Sequence, residues 1–235
     1  MNTFLLIDTA TPVCSVALCR GQEIIYHTSE VQTAGGHAAR LGVLVEEALA
    51  TMRQHGLQLS AVALSAGPGS YTGLRISSSL AKGLCHGYGI PLIAIPTLAS
   101  MAEGYRQRCA ALGPKDRLVP MIDARRQEVY TATFDYLGQA LGAETARVVS
   151  GQELFDPEMT AGYTYHFFGD GTHKPEGISS GSFVKDESFA LSALYMLPLA
   201  QQAYDSADFV DTAYWTPNYL KEYQVAISKN KVLNQ

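Results

Sequence analysis

Apolar residues recur along this chain in two rhythms, which change at glycines and prolines. Alternation marks "TFLLIDTA" (3–10) and "VCSVALCR" (13–20) as strands joined by a turn at Thr11-Pro12, and "QEIIYHT" (22–28) as a third strand. The rhythm then becomes helical. Leu41, Leu44, Val45, Ala48, Leu49 and Met52 fall at 3.6-residue spacing across 37–55, and Gly56 stands where a C-terminal cap belongs. "LSAVALSA" (59–66) predicts a strand, 71–87 a second helix, and "IPLIAIP" (90–96) a buried strand. A third helix is expected from Thr97, as N-cap behind Pro96, to about Gly113.

The pattern then restarts. "LVPMIDARRQEVYTATFDYLGQAL" echoes "TFLLIDTATPVCSVALCRGQEI": an apolar strand ending in Ile-Asp, a polar turn, an alternating strand and a Gly-Gln turn. The echo predicts a duplicated α/β unit, with halves at 1–112 and 113–235 meeting near "ALGPKDR". Further on, "YTYHFFGDGTHKPEG" reads as a strand entering a Gly-Asp-Gly turn. "ALSALYMLPLAQQAY" reads as a helix with Pro198 at a kink or boundary.

Composition adds bounds. The 235 residues are 47% hydrophobic and 17% charged, an ordinary globular balance. The net charge of −5 argues against a broad electrostatic grip on nucleic acid by this chain alone. Residues 106–126 hold six Lys or Arg, readable as a solvated helix and turn or as a local RNA contact. No secretory leader or membrane span is expected, and Cys14, Cys19, Cys85 and Cys109 form no CxxC pair, so a cytoplasmic protein with reduced thiols is expected.

"SAGPGSYTGLR" (65–75) carries the chemical question. A Walker loop fails, because Thr72 and Leu74 stand where a second glycine is needed and Lys82 lies too far on. A dinucleotide fingerprint fails on spacing. What remains is a glycine turn opening a helix. It can hold an anion, or it can be what close packing requires. Asp8 and Asp123 each end an apolar strand, either facing a ligand or hydrogen-bonding their own turns. No two of the six histidines lie three or four apart, so no metal is expected. "GISSG" (177–181) matches GxSxG but lacks the strand and helix of a nucleophile elbow.

Taken together, "LLIDTATPVCSVAL", Gly67 to Arg75 with Ala81-Lys82-Gly83, "IPLIAIPTLASMA" and "MIDARRQEVYTATF" resemble the bacterial TsaB (YeaZ-type) family, glycoprotease-like relatives of TsaD. The resemblance is strong over 1–135 and continues in Gly169-Asp170-Gly171 and "TPNYLKE". It implies a two-lobed actin-like fold (sugar-kinase and Hsp70 related, ribonuclease H-like) of α/β class, with duplicated mixed sheets and a reduced second lobe. It implies a non-catalytic subunit, cofactor-free, in making threonylcarbamoyladenosine beside the tRNA anticodon. The partners implied are a catalytic TsaD-like paralogue and a TsaE-like small ATPase, with tRNA met only through the complex and a homodimer for the free chain. An autonomous actin-like kinase or M22-type peptidase is the alternative.

The same resemblance assigns residues. Thr97 and Met101 stand where TsaD carries a metal-binding histidine pair, and neither is a suitable ligand. No glycine follows Gly181 to build the late adenine turn of actin-like ATPases. Asp8, Thr9, Gly67, Gly69, Ser70, Asp123, Gly169 and Gly171 then read as remnants of phosphate turns. Partner docking is expected on small residues of the two long helices: Ala39, Val43 and Ala50 on the first, and Leu74, Ser78, Ala81 and Cys85 on the second. Ile76, Leu80 and Leu84, with Gly83 nearby, are expected to face the chain's own sheet.

Overall fold

The computed structural model describes residues 1–32, 36–149, 162–175 and 182–221. Five strands form the first sheet: β1 (Thr3–Asp8), β2 (Val13–Arg20), β3 (Glu23–Val31), β4 (Ala61–Ser65) and β5 (Leu92–Ile95), in the order β3-β2-β1-β4-β5. β1 pairs antiparallel with β2, and β2 with β3, while β1, β4 and β5 run parallel.

The second sheet repeats this plan. Its strands are β6 (Asp116–Asp123), β7 (Glu128–Thr131), β8 (Phe134–Asp135), β9 (Thr145–Val148), β10 (Thr164–Phe168) and β11 (Phe183–Asp186). The order β11-β10-β6-β7-β9 is the first order read backwards, and β8 pairs with β6 off that path. β6 meets β7 antiparallel and β10 parallel, β7 meets β9 antiparallel, and β10 meets β11 parallel, as in the first half. The echo at Ile7-Asp8 and Ile122-Asp123 is therefore a duplication of topology, with each aspartate closing the central strand of its sheet.

Alternation along β1 places Leu5 and Ile7 on one face of the first sheet and Phe4 and Leu6 on the other. The helices α1 (Gly36–Gln54) and α2 (Tyr71–Tyr88) cover the first face. A 3-10 turn, Ala193–Met196, and α4 (Leu197–Asp205) return to cover the second, so the late chain belongs spatially with the early sheet. Pro198 sits in the first turn of α4, where its missing N–H costs nothing, so the proline marks the helix boundary. Between the sheets lies α3 (Thr97–Arg108), whose Leu98, Met101 and Tyr105 pack with Leu118, Ile122 and Phe168. Among the described residues, no α-helix lies between the strands of the second sheet, which makes that half the reduced one.

Two expectations need correction. α3 ends at Arg108, not near Gly113, because Cys109 turns to an extended conformation. Thr97 is inside the helix rather than its cap; its hydroxyl accepts the Gly67 N–H at 3.1 Å instead.

The larger correction concerns α2. Leu74, Ser78, Ala81 and Cys85 are buried, at 0%, 7%, 0% and 3% exposure, against the chain's own core. Ile76, Leu80 and Leu84 are only half-buried, at its margin. The cause is close approach. A Cβ on Gly73 would lie 2.0 Å from the Thr9 carbonyl oxygen, so the helix start lies directly against the β1 turn. Small side chains fill most of the narrow gap below it, and the bulky aliphatics move to its edge.

Candidate functional site

The two glycine turns lie one at the end of β1 and one at the end of β6. In the first half, each glycine is explained by a piece of the chain's own backbone. A Cβ on Gly67 would meet the Asn218 carbonyl oxygen at 2.5 Å, and one on Gly69 would meet the Ala10 carbonyl oxygen at 2.5 Å. The Gly67 N–H is spent on Thr97, and the Ser70 N–H on the Ala10 carbonyl at 2.7 Å. Ser70 caps α2, its hydroxyl accepting from Gly73 N–H at 3.3 Å. Thr9 is buried and donates to the Gly73 carbonyl at 2.8 Å.

Asp8 is 1% exposed, and its Oδ1 accepts the Ala10 N–H at 2.9 Å. Among the described residues its Oδ2 has no hydrogen-bond partner, and neither has the Ser65 hydroxyl. Burial pushes this carboxyl up to about 7, and the Ala10 N–H, which favours the charged form, does not offset the loss of water. A ligand-facing acid would need an open approach and a stable charge, and Asp8 has neither.

The second half is built alike. Gly169, at φ 106°, lets β10 end against β6: a Cβ there would lie 2.4 Å from the Met121 carbonyl oxygen. A Cβ on Gly171 would lie 3.0 Å from the Ile122 carbonyl carbon. Asp170 accepts the Asp123 N–H at 3.0 Å, and burial raises its pKa. Asp123 accepts the Arg125 N–H at 2.6 Å and pairs with the Lys174 ammonium. Asp8 and Asp123 thus each hydrogen-bond within their own turn, and Asp123 also carries the ion pair.

Thr97 and Met101 are buried. Among the described residues, no three of His, Cys, Asp and Glu gather to hold a metal. The Cys14, Cys19 and Cys85 thiols are pushed up to about 11, chiefly by burial, which makes them poor nucleophiles. Residues 177–181 lie outside the described residues. Among the described residues, no helix is long and apolar enough to cross a membrane.

The outer faces of α1 and α2 form the second candidate. Ala39 and Val43 are exposed and Ala50 is half-buried. The exposed positions of α2 include Arg75, Ser79, Gly83 and His86. Among the described residues, Gly42, Gly83 and Gly87 would have nothing within 4 Å of an added Cβ. A glycine inside a helix costs about 1 kcal/mol relative to alanine. The glycines of the turns are explained by backbones that touch; no neighbour among the described residues explains Gly42 or Gly83. Sequence reading grouped Gly83 with the core stripe and passed over Gly42. The available signal was a glycine at mid-helix with no turn to make.

Residues 26–227 match the family described as TsaD, tRNA N6-adenosine threonylcarbamoyltransferase. The chain is 33% identical over 227 residues to the tRNA threonylcarbamoyladenosine biosynthesis protein TsaB of Escherichia coli (strain K12), covering 92% of this chain and 94% of that protein. It is 29% identical to the protein of the same name from Haemophilus influenzae, covering 93% of each. A Pseudomonas aeruginosa crystal structure, of an uncharacterized protein with similarity to peptidase YEAZ, superposes with a TM-score of 0.80 at 28% identity, covering 94% of this chain and all of that one. With backbone and sequence following these relatives over nearly their whole length, and with both glycine turns closed on its own main chain, the chain belongs to the TsaB (YeaZ-type) family.

Proposed function

We propose that this protein is a non-catalytic subunit of the machinery that installs threonylcarbamoyl on the adenosine next to the tRNA anticodon, and that it binds and activates a TsaD-like catalytic paralogue. Family membership supports the pathway. The observation that carries the non-catalytic reading is the closed first turn: its Gly67 and Ser70 N–H groups and Asp8 Oδ1 are engaged within the chain, and Asp8 is buried. The proposed lobes are 1–112 and 113–235, with the C-terminal part of the second packing back on the first, as Ala193 to Ala200 do, and with docking on the first.

The docking ridge proposed here combines Ala39, Val43 and Ala50 of α1 with Ser79 and Gly83 of α2. It replaces the buried stripe Leu74, Ser78, Ala81 and Cys85, which cannot reach a partner without unfolding. Two glycine-bearing helices let a second helix pair approach to short interaxial distance. The free chain would use the same ridge to pair with itself, a TsaE-like ATPase would join the complex, and tRNA would be met through the complex.

Co-purification with the TsaD-like paralogue, followed by a tRNA modification assay with and without this chain, tests the proposal. Modification should depend on both chains. Calorimetry should find no ATP binding to this chain alone; micromolar binding with turnover would instead establish the kinase alternative.

A further inference from the structure

Beyond α4 the chain runs from Ser206 to Lys221 without regular structure, yet it is pinned at almost every step. Val210 bridges to Leu92 at the edge of the first sheet, its N–H donating to the Leu92 carbonyl at 3.0 Å. The Lys82 ammonium on α2 donates to the Trp215 carbonyl at 2.6 Å and lies 6.0 Å from the indole centroid. Asn218 N–H donates to the Ala66 carbonyl at 2.7 Å, where the chain lies on Gly67. The Tyr219 ring packs on Tyr71 with centroids 4.7 Å apart.

The same few residues then reach the second half. The Asn218 side-chain amide donates to Glu144 at 2.9 Å, and the Lys221 ammonium pairs with the Glu128 carboxylate. Glu144 lies in the segment between β8 and β9, and Glu128 begins β7. One strap therefore joins α2 and the glycine turn of the first half to the second sheet.

We propose that residues 214–221 are a latch that holds the two halves of the molecule at a fixed angle. Its two grips differ in kind. On the first half it is held by the Asn218 main-chain hydrogen bond to Ala66, the tilted Tyr71–Tyr219 pair and Lys82. On the second half it is held by one side-chain amide and one ion pair whose side chains are 31% and 26% exposed. Main-chain and aromatic contacts resist salt, whereas an ion pair still partly in water is weakened by it. The second-half grip is thus the end that opens first, and its loss loosens the strap from Asn218 through Tyr219 to Lys221. Gly67 has no side chain because the latch lies on it, which gives this part of the glycine turn a purpose independent of any phosphate. The inference rests on the free chain alone and stands whether or not the ridge of α1 and α2 binds a partner.

Chymotrypsin cleavage after Tyr219, read by mass spectrometry on the full chain, measures release. Lys221→Glu places a like charge against Glu128 and should raise the cleavage rate several-fold at an unchanged melting temperature. The swap Lys221→Glu with Glu128→Lys should return the rate to that of the wild type, and added salt should raise the wild-type rate. Trp215 is the single tryptophan, so its quenching by acrylamide reports the other grip; Lys82→Met should increase it. Equal cleavage rates for wild type and Lys221→Glu, or a swap that restores nothing, would overturn the latch.

Discussion

Asp8 shows how a residue in a ligand-facing position can become a core residue. Its carboxyl ends β1 inside the protein, with one oxygen hydrogen-bonded and the other without a partner. The folded state raises its pKa from 3.8 to about 7, so between those values the folded chain holds a proton that the unfolded chain has released. The stability associated with that proton is complete below about pH 4 and is lost as pH rises through 7, by a few kcal/mol. Asp8→Asn keeps the shape and cannot ionise. Its melting temperature should exceed the wild-type value at pH 8, and thermal melts across pH 4–8 should lose much of the wild-type slope. A variant as steep as the wild type would show that Asp8 is ionised throughout. Gly73 makes the complementary case: with a Cβ 2.0 Å from the Thr9 carbonyl oxygen, Gly73→Ala must push α2 off the sheet. It should lower stability by about 1–3 kcal/mol in urea unfolding, as overpacking does.

At the scale of the element, α2 has four sides with different tasks. Small residues face the sheet, where space is short. Ile76, Leu80 and Leu84 line one margin of the core, and Lys82 with Tyr71 faces the strap. The remaining ridge is open over Gly83. This division yields opposed predictions for neighbouring positions. Ala81→Arg puts a charge into a site of 0% exposure and should unfold the first half, visible as loss of the cooperative melt. Gly83→Arg should leave melting unchanged or raise it, because arginine is the better helix former. If the ridge docks the paralogue, Gly83→Arg should also weaken association by roughly tenfold or more in a pull-down titration. Full association by Gly83→Arg would move the docking surface elsewhere.

For the whole molecule, the second sheet copies the strand order of the first, yet the two halves are not equals. The first sheet is covered by α1 and α2 on one face and by the returning 3-10 turn and α4 on the other. The second shares α3 with the first half and depends on that contact and on the strap for its position. Tyr105 of α3 is part of the same seam: its hydroxyl lies 3.1 Å from His166 on β10, which in turn lies 2.7 Å from Asp116 on β6. Phe168 stacks on the Tyr105 ring at 4.2 Å. Tyr105→Ala removes the ring and the hydrogen bond together. It should cost about 3–5 kcal/mol and unfold the second sheet preferentially, which hydrogen exchange would show as lost protection in β6 and β10 ahead of β1 and β4.

The strands, the long helices and the duplication were legible in the sequence because they are written in local periodicity: a period of two through Leu5 and Ile7, a period of 3.6 through Leu41 and Met52, and the recurring Ile-Asp. The failed nucleotide motifs were legible too, since spacing alone decides them. The orientation of α2 was not. Periodicity gives a helix two faces but does not say how near its partner will come. Bulk suggested that Ile76, Leu80 and Leu84 faced the sheet, whereas the short approach at Gly73 admitted mostly small side chains there. Nor did local pattern disclose why Gly67 and Gly69 are glycines, why Asp8 keeps its proton, or that Lys82 and Trp215 meet across 133 positions. Each of these depends on which distant backbone arrives at the same place, and only the tertiary structure decides that.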